Sequence, residues 1–270
     1  MDPMMPTLQD MLAFLDQVAP VDLAESWDNP GLQVGDLSQR IQRVSVALDP
    51  TLDSVRASLE QDSQLLLTHH PLIFSPLSSF DLHAYPANVI LEAAKAGLSI
   101  VTAHTNLDQA EGGINDMLAE SLQLRQVRVL KEVDGKTGCG LGRIGEWPSP
   151  IVLTVLIERI KEILGTSRLK TTGDLDRTIR RVAVVGGSGG SLVREAFQKG
   201  ADLLLTGDVG HHHALEARTL GLAMIDGGHF LTERLALKRL TGLLRRGFKT
   251  QGWDVRVTFF AEEADPMIWV

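Results

Sequence analysis

Six side chains of the kinds that bind metal ions or move protons stand just after short apolar runs. They are His69, His70, His104, Asp108, His229 and Glu233. The first two end the apolar part of LLLTHHPLIF, and the other four form two pairs in which an acid follows a histidine by four residues. Imidazole suits Zn, Fe, Ni and Cu, and carboxylates suit harder divalent ions. The set predicts a metal site without thiolate ligands.

The pair His229 and Glu233 follows Gly227 and Gly228, which allow a close approach of the backbone. Residues four apart on a helix project from the same face, so both side chains are expected to reach one site. Glu233 offers two oxygens and is a natural bridge between two ions. Two ions about 3.5–4 Å apart form the usual two-metal hydrolytic arrangement.

The adjacent histidines His69 and His70 are expected at the end of a strand. Neighbouring side chains on a regular strand point to opposite faces. Pro71 forces His70 into an extended conformation and is expected to interrupt normal strand pairing. The two rings can then diverge towards two different ions, whereas a single ion would rarely need adjacent histidines.

An internal repeat indicates the scaffold that holds these residues. Residues 41–70 align with residues 179–208 without a gap, and ten of the thirty positions are identical, including LLLT in both copies. Each copy is followed by a Gly-Leu pair, an apolar run and one of the histidine–acid pairs. The pattern predicts an α/β fold of two similar halves, 1–130 and 131–270, packed as one compact unit, each built as strand–helix–strand–helix–strand.

Strands that alternate with helices form βαβ units and largely parallel central sheets. Functional groups collect at the carboxyl ends of such strands. Facing strand ends would therefore gather the six side chains. Residues 138–165 are expected to form a linking strand, a turn marked by proline and a helix, and the segment WDVRVTFFAEE is expected to contain a strand.

Composition excludes several classes of protein. The chain has 270 residues, a net charge of −8 and a single cysteine. The negative charge argues against a general affinity for nucleic acid or anionic membranes. Cys139 permits no disulfide within the chain and is expected to be structural, which fits a reducing compartment. We expect a cytoplasmic protein with no signal peptide and no membrane span.

Two further motifs leave alternatives open. His211, His212 and His213 are expected to open a helix beside Asp208, either as a solvated helix end or as groups that line a cleft and orient ligands. The glycine stretch VVGGSGG after a strand either binds phosphate through its backbone amides or is only a flexible turn. It lacks the spacing of a dinucleotide fingerprint. His83 is expected at the surface.

Five segments together closely resemble the Nif-three-like family, whose members are also called GTP cyclohydrolase 1 type 2 homologues. The segments are ESWDNPGLQVGD, LLLTHHPLIF, AHTNLD, TGDVGHHHALEA and IDGGHFLTE. The resemblance implies two interlocked α/β halves, a ring-shaped homohexamer and a dinuclear centre held by His69, His70, Asp108, His229 and Glu233. It places His104 near the ions, leaves the role of Asp208 open and identifies the chain as the short form, without an inserted domain.

Three functions follow as hypotheses. The first is a hydrolase that uses two divalent ions (Zn, Fe, Mn or Ni) and His104 as general acid–base catalyst on a nucleotide-like or other small phosphorylated or cyclic substrate. The second is a protein that handles metal without catalysis. The third is a ring-shaped oligomer that binds a protein partner or nucleic acid. The net negative charge of the chain argues against nucleic acid.

Overall fold

The computed structural model of the chain describes residues 5–268. The strands in that range are β1 (Gly31–Val34), β2 (Arg43–Ala47), β3 (Leu65–Thr68), β4 (Ser99–Thr102), β5 (Arg125–Val133), β6 (Lys136–Val152), β7 (Lys170–Thr172), β8 (Thr178–Ser188), β9 (Leu203–Gly207), β10 (Ala223–Asp226) and β11 (Arg256–Phe259). The helices are α1 (Leu8–Val18), α2 (Leu52–Glu60), α3 (Ala87–Ala96), α4 (Thr105–Gln109), α5 (Ile114–Ser121), α6 (Leu153–Leu164), α7 (Val193–Gln198), α8 (His211–Leu220) and α9 (His229–Thr250). None of these helices is both long enough and apolar enough to cross a membrane.

The chain forms two compact units. Unit 1 comprises residues 1–107 and 237–270, of which the ends lie outside the described range, and unit 2 comprises residues 108–236. Each unit contains one sheet, so the fold is mixed α/β with two sheets, as the sequence predicts.

The sheet of unit 1 has the strand order β1–β4–β3–β2–β11 and is parallel except for its edge strand β1. The sequence-based boundary at residue 130 assigns β11 to the second half, but β11 pairs in parallel with β2 in unit 1. The alternation of Val255, Val257 and Phe259 predicts a strand here without specifying which sheet receives it.

The sheet of unit 2 has the order β5–β6–β8–β9–β10–β7 and is mixed. Only β8–β9 and β9–β10 are parallel pairs. The segment that links the halves adds β5 and β6 as an antiparallel hairpin, which needs only a tight turn. Strand β6 also runs through Pro148 and Pro150, where the sequence predicts a turn, and its pairing with β8 changes register between Glu146 and Ile151 because proline has no N–H for the ladder.

The predicted repeat appears in the strand registers. Val44 lies opposite Leu65 in unit 1, and Val182 lies opposite Leu203 in unit 2, which are the same positions of the two aligned copies. Both copies form the predicted strand–helix–strand–helix–strand. Each sheet also carries a short antiparallel edge strand, β1 beside β4 and β7 beside β10, that the alignment does not predict.

Packing on both faces explains the continuous apolar runs. In unit 2, alternate residues of the same strands enter two separate clusters: Leu203 and Leu205 lie in one, and Leu204 lies in the other. A strand that is covered on both faces exposes neither face to solvent, so its residues are apolar without alternation. The first polar residues after the strands therefore stand at the sheet's carboxyl edge, where the candidate ligands are found.

Candidate metal centre

Three imidazole rings converge in unit 1. His69 and His70 follow β3, and His104 follows the neighbouring parallel strand β4. One ring nitrogen of each lies within 4.8 Å of the corresponding atoms of the other two. Their ring centroids are 5.1–5.5 Å apart. Adjacent parallel strands thus bring His104 to histidines that lie 34 and 35 positions earlier in the chain.

Each ring is oriented by an acceptor at Nδ1. The Nδ1 of His69 lies 2.8 Å from the backbone oxygen of Ala103, which can only accept, so this nitrogen carries the proton. The Nδ1 of His70 lies 2.8 Å from Asp49, and that of His104 lies 2.7 Å from Asp28. A carbonyl or carboxylate partner of this kind fixes the tautomer of metal-binding histidines and leaves Nε2 as the ligand atom.

The two adjacent histidines differ in their surroundings. His69 is fully buried, whereas the side chain of His70 is 22% exposed. The backbone N–H groups of His69 and His70 still donate to Ala47 and Leu48 of the neighbouring chain segment. This pairing runs two residues beyond β3, up to the residue before Pro71, which has no N–H to donate. The rings are inclined at 44°, and both approach His104.

Asp28 is a residue of this site that the sequence analysis did not single out. Its carboxylate accepts hydrogen bonds from His104 and from the backbone N–H and hydroxyl of Thr105. Burial alone raises the pKa of Asp28, but the hydrogen bonds from His104 and Thr105 and the charge of His104 outweigh it, and the pKa falls to about 2. Asp28 is thus ionised near neutrality and holds the ring of His104 in place.

The other histidine–acid pair lies in the first turns of α9 in unit 2. The Nε2 of His229 is 3.1 Å from Glu233 Oε2, as expected for residues four apart on a helix. Asp208 Oδ2 lies 2.7 Å from Nδ1 of the same histidine. This contact gives Asp208, whose role the sequence leaves open, the same part that Asp28 and Asp49 play in unit 1.

Gly187 makes room for this pair. A Cβ at position 187 would stand 2.1 Å from Glu233 Oε1 and 3.2 Å from His229 Nε2, and the residue has φ +62°. Both the space and the conformation favour glycine. The glycine stretch therefore lets a carboxylate and an imidazole lie directly against the backbone.

The same stretch is held by internal hydrogen bonds. The N–H groups of Gly186, Gly187 and Gly189 donate to Asn115, Thr232 and Thr206, respectively. Because these amides already have protein acceptors, the phosphate-binding alternative is not supported. The turn is fixed by side chains from three neighbouring elements.

Asp108 stands in the short helix α4 and is buried. Its backbone oxygen accepts from Asn115 Nδ2, and the other side of that amide accepts from Gly186. Asn115 thus connects the backbone of a predicted ligand to the glycine turn.

The remaining sequence candidates lie elsewhere. α8 begins at His211 as predicted, and His211 and His212 are exposed. The Nδ1 of His213 is buried against Gly190 and has no hydrogen-bond partner in the described part of the chain. The exposure of His211 and His212 fits a solvated helix end, whereas the surroundings of His213 fit neither a solvated group nor one hydrogen-bonded to a ligand residue. His83 is exposed, as predicted.

The chain is similar to known proteins over nearly its whole length. Residues 6–266 match the family model Duf34/NIF3 (NGG1p interacting factor 3). The chain belongs to the Duf34/NIF3 family. It is 32% identical over 263 residues to a Clostridium perfringens protein named GTP cyclohydrolase 1 type 2 homolog, covering 97% of this chain and 99% of the relative. A Helicobacter pylori relative named GTP cyclohydrolase 1 type 2 is 34% identical over 230 residues, with 85% and 88% covered.

Solved structures of Duf34/NIF3 proteins share the fold. A Staphylococcus aureus protein described as hypothetical superposes with a TM-score of 0.93 at 29% identity, with full coverage of both chains. A Bacillus cereus protein related to NIF3 superposes with the same TM-score at 24% identity, covering 99% of this chain and all of that one. The family and fold that the five segments predict are thereby confirmed.

Proposed function

We propose that this Duf34/NIF3 chain binds two divalent metal ions through His69, His70, Asp108, His229 and Glu233. The observation that carries the proposal is the orientation of the histidines: all three proposed histidine ligands have Nδ1 against a carbonyl or carboxylate oxygen. An acceptor at Nδ1 is usual for histidines that bind a metal through Nε2. The mixture of imidazole and carboxylate suits Zn, Fe, Mn or Ni.

We further propose that the bound ions support hydrolysis of a nucleotide-like or other small phosphorylated or cyclic substrate. When bound, divalent ions of this kind lower the pKa of water towards neutrality. His104, fixed by Asp28, is the candidate general acid–base catalyst, because its ring is oriented by a carboxylate and lies beside His69 and His70. The name of the Helicobacter pylori relative makes GTP the first compound to test.

The family resemblance also supports two broader proposals. We propose a homohexamer of the 29.4 kDa chain that acts on a small molecule and not on a membrane or on nucleic acid, and we propose a cytoplasmic location. Sedimentation velocity tests the oligomer directly. A hexamer should give a fitted mass six times that of the chain, and a mass of one or two chains would contradict the proposal.

Metal content tests the central proposal. We expect purified protein to hold two divalent ions per chain by inductively coupled plasma mass spectrometry, and Glu233→Ala or His69→Ala to lose at least one. His83→Ala, which changes an exposed histidine, is the matched control and should retain both. Unchanged metal content in Glu233→Ala would exclude its proposed bridging role.

Turnover separates catalysis from metal handling. We expect wild-type protein to hydrolyse GTP or another member of a nucleotide panel, and His104→Gln to retain both ions while losing most of the turnover, about 100-fold or more for removal of a general acid–base group. Loss of an ion in His104→Gln would instead make His104 a ligand. Equal turnover of wild type and His70→Ala on every compound would exclude the hydrolase proposal and favour metal handling without catalysis.

A further inference from the structure

Exposed aromatic rings extend from the histidine cluster of unit 1. Trp27 is 56% exposed, and its ring lies 6.1 Å from that of His104 and 5.8 Å from that of Phe74. Phe74 is 53% exposed and Tyr85 is 59% exposed. Large apolar groups that stay exposed together next to a polar site are characteristic of a binding surface. We call Trp27, Phe74 and Tyr85 the aromatic subsite.

A cavity opens beside this surface. Its volume is about 370 Å³, and Phe74 and Tyr85 line it together with Ser75, Ser78 and Asp81. That volume falls in the range of small-molecule sites. The cavity is formed by residues 72–87, which follow directly after His69 and His70 in the chain.

The charges of the lining select the occupant. No lysine or arginine is among the described residues that line the cavity, while hydroxyls and the Asp81 carboxylate are present. A phosphate would meet no cation here and would be repelled by Asp81. An uncharged ring whose N–H groups donate to these oxygens fits both the aromatic and the polar part of the lining.

Hydrogen bonds hold the subsite in position. The side chain of Asn29 donates to the backbone oxygen of Ile73 at 2.6 Å, and the backbone N–H of Ile73 donates to Gln33 at 3.0 Å. Gln33 in turn donates to the backbone of Asn29. This closed set of three bonds fixes Phe74 relative to Trp27, so a ligand ring need not order the surface as it binds.

The subsite is also connected to His104 of the histidine cluster. Asp28, next to Trp27 in the chain, holds His104. Tyr85 lines the cavity together with Phe74, the ring next to Trp27. A ring packed on Phe74 is therefore separated from His104 by one aromatic side chain, Trp27.

We propose that the aromatic subsite binds the flat ring of an uncharged nitrogen heterocycle with N–H donors, packed on Phe74 and Tyr85 and reaching Trp27. The inference rests on the proposed hydrolase function, for which it names the part of the substrate bound next to the histidines. Replacing an aromatic side chain on which a base stacks by alanine weakens binding by about 1–3 kcal/mol, which corresponds to about 5- to 150-fold in affinity.

Isothermal titration calorimetry on the full-length, metal-loaded protein tests the proposal with inosine as the probe. We expect inosine to bind, purine riboside, which lacks the N–H donor of the ring, to bind several-fold more weakly, and ribose 5-phosphate to bind least. Phe74→Ala and Trp27→Ala should weaken inosine binding about 5- to 150-fold, and Trp27→Phe should recover most of it. Phe80→Ala is the matched control, because Phe80 is equally exposed in the same segment but does not line the cavity.

Several outcomes overturn the proposal. Equal inosine affinity in wild type and Phe74→Ala would overturn it, as would ribose 5-phosphate binding as tightly as inosine. If inosine fails to bind and Phe74→Ala changes the sedimentation coefficient, the rings form a contact between subunits instead. Metal content measured on the same samples separates the two proposals: inosine binding without metal would refute the metal centre alone, and metal without inosine binding would refute the subsite alone.

Discussion

Unit 1 and unit 2 use the same βαβαβ framework but equip corresponding positions differently. Asp49, two residues after β2 in unit 1, aligns with Gly187, which lies near the end of β8 in unit 2. His70, which follows β3, aligns with Asp208, which follows β9. Asp49 orients an imidazole, whereas Gly187 leaves space for one. His70 is itself the oriented ring, whereas Asp208 orients the ring of His229.

The comparison shows that the two copies of the repeat share the location of their candidate site residues, at the strand ends, more closely than they share the types of those residues. The parallel registers of both copies deliver the ends of their strands to the same edge. Which atom arrives there depends on single side chains. Among the candidate residues, unit 1 presents three imidazoles, and unit 2 presents one imidazole with the carboxylates of Asp108 and Glu233.

The largest effect is expected from filling the space at Gly187. Gly187→Ala should displace the Glu233 carboxylate and weaken metal binding by about 100-fold, at the upper end of what loss of ligand support costs. Gly221→Ala is the matched control, since Gly221 has φ +72° and its Cβ would meet nothing within 4 Å. Both variants should lose about 1 kcal/mol of unfolding free energy from the left-handed conformation. A similar metal affinity in the two variants would mean that Gly187 matters only for its backbone.

The acids that orient the histidines should come next. Asp49→Asn is expected to weaken metal binding about 10- to 100-fold, and Asp208→Asn should lie near the lower end of that range. The side chain of Asp208 is 58% exposed, against 33% for Asp49, so water replaces it more easily. Competition with a fluorescent chelator measures both affinities. A larger loss in Asp208→Asn would reverse the comparison of the units.

A smaller effect is expected from Glu263 in the C-terminal segment of unit 1. Its carboxylate accepts from the backbone N–H groups of Leu48 and Asp49 at 2.7–3.1 Å and so fixes the loop that presents Asp49 to His70. Glu263→Ala should lower the unfolding free energy by about 1–3 kcal/mol and metal affinity by a few-fold. The exposed neighbour Glu262 provides the control variant Glu262→Ala, for which thermal melts and metal titration should match the wild type.

The smallest effect concerns a helix cap that only unit 1 has. Thr51 forms a capping box with Ser54 at the start of α2, whereas the aligned residue in unit 2 is Gly189, which precedes a 3₁₀ turn and α7. Thr51→Ala should cost about 1 kcal/mol in unfolding free energy, measured by chemical denaturation, and leave metal content unchanged. Loss of metal would show that α2 also positions the strand ends.

The family could be predicted because five separate segments resemble it. Both sheets and the positions of the histidines at strand ends could be predicted because they rest on local periodicity or on an aligned repeat. The full length of strand β6 could not be predicted. Pro148 and Pro150 indicate a turn, and only the neighbouring strand β8 shows that the strand continues past them with a change of register. The roles of Asp28 and Asp49 were also missed. Asp28 lies in the motif ESWDNPGLQVGD, and Asp49 comes two residues after β2, so both positions carried a signal without indicating a partner.

The sequence by itself determined that buried strands end in imidazoles and acids, because apolar runs and the polar residues that follow them are properties of neighbouring residues. Only the tertiary structure decided which acid orients which ring, that β11 joins β2 and that Gly187 must lack a side chain. These features depend on contacts between residues 20 to more than 200 positions apart, and such contacts are set by packing in three dimensions and leave no periodic trace along the chain.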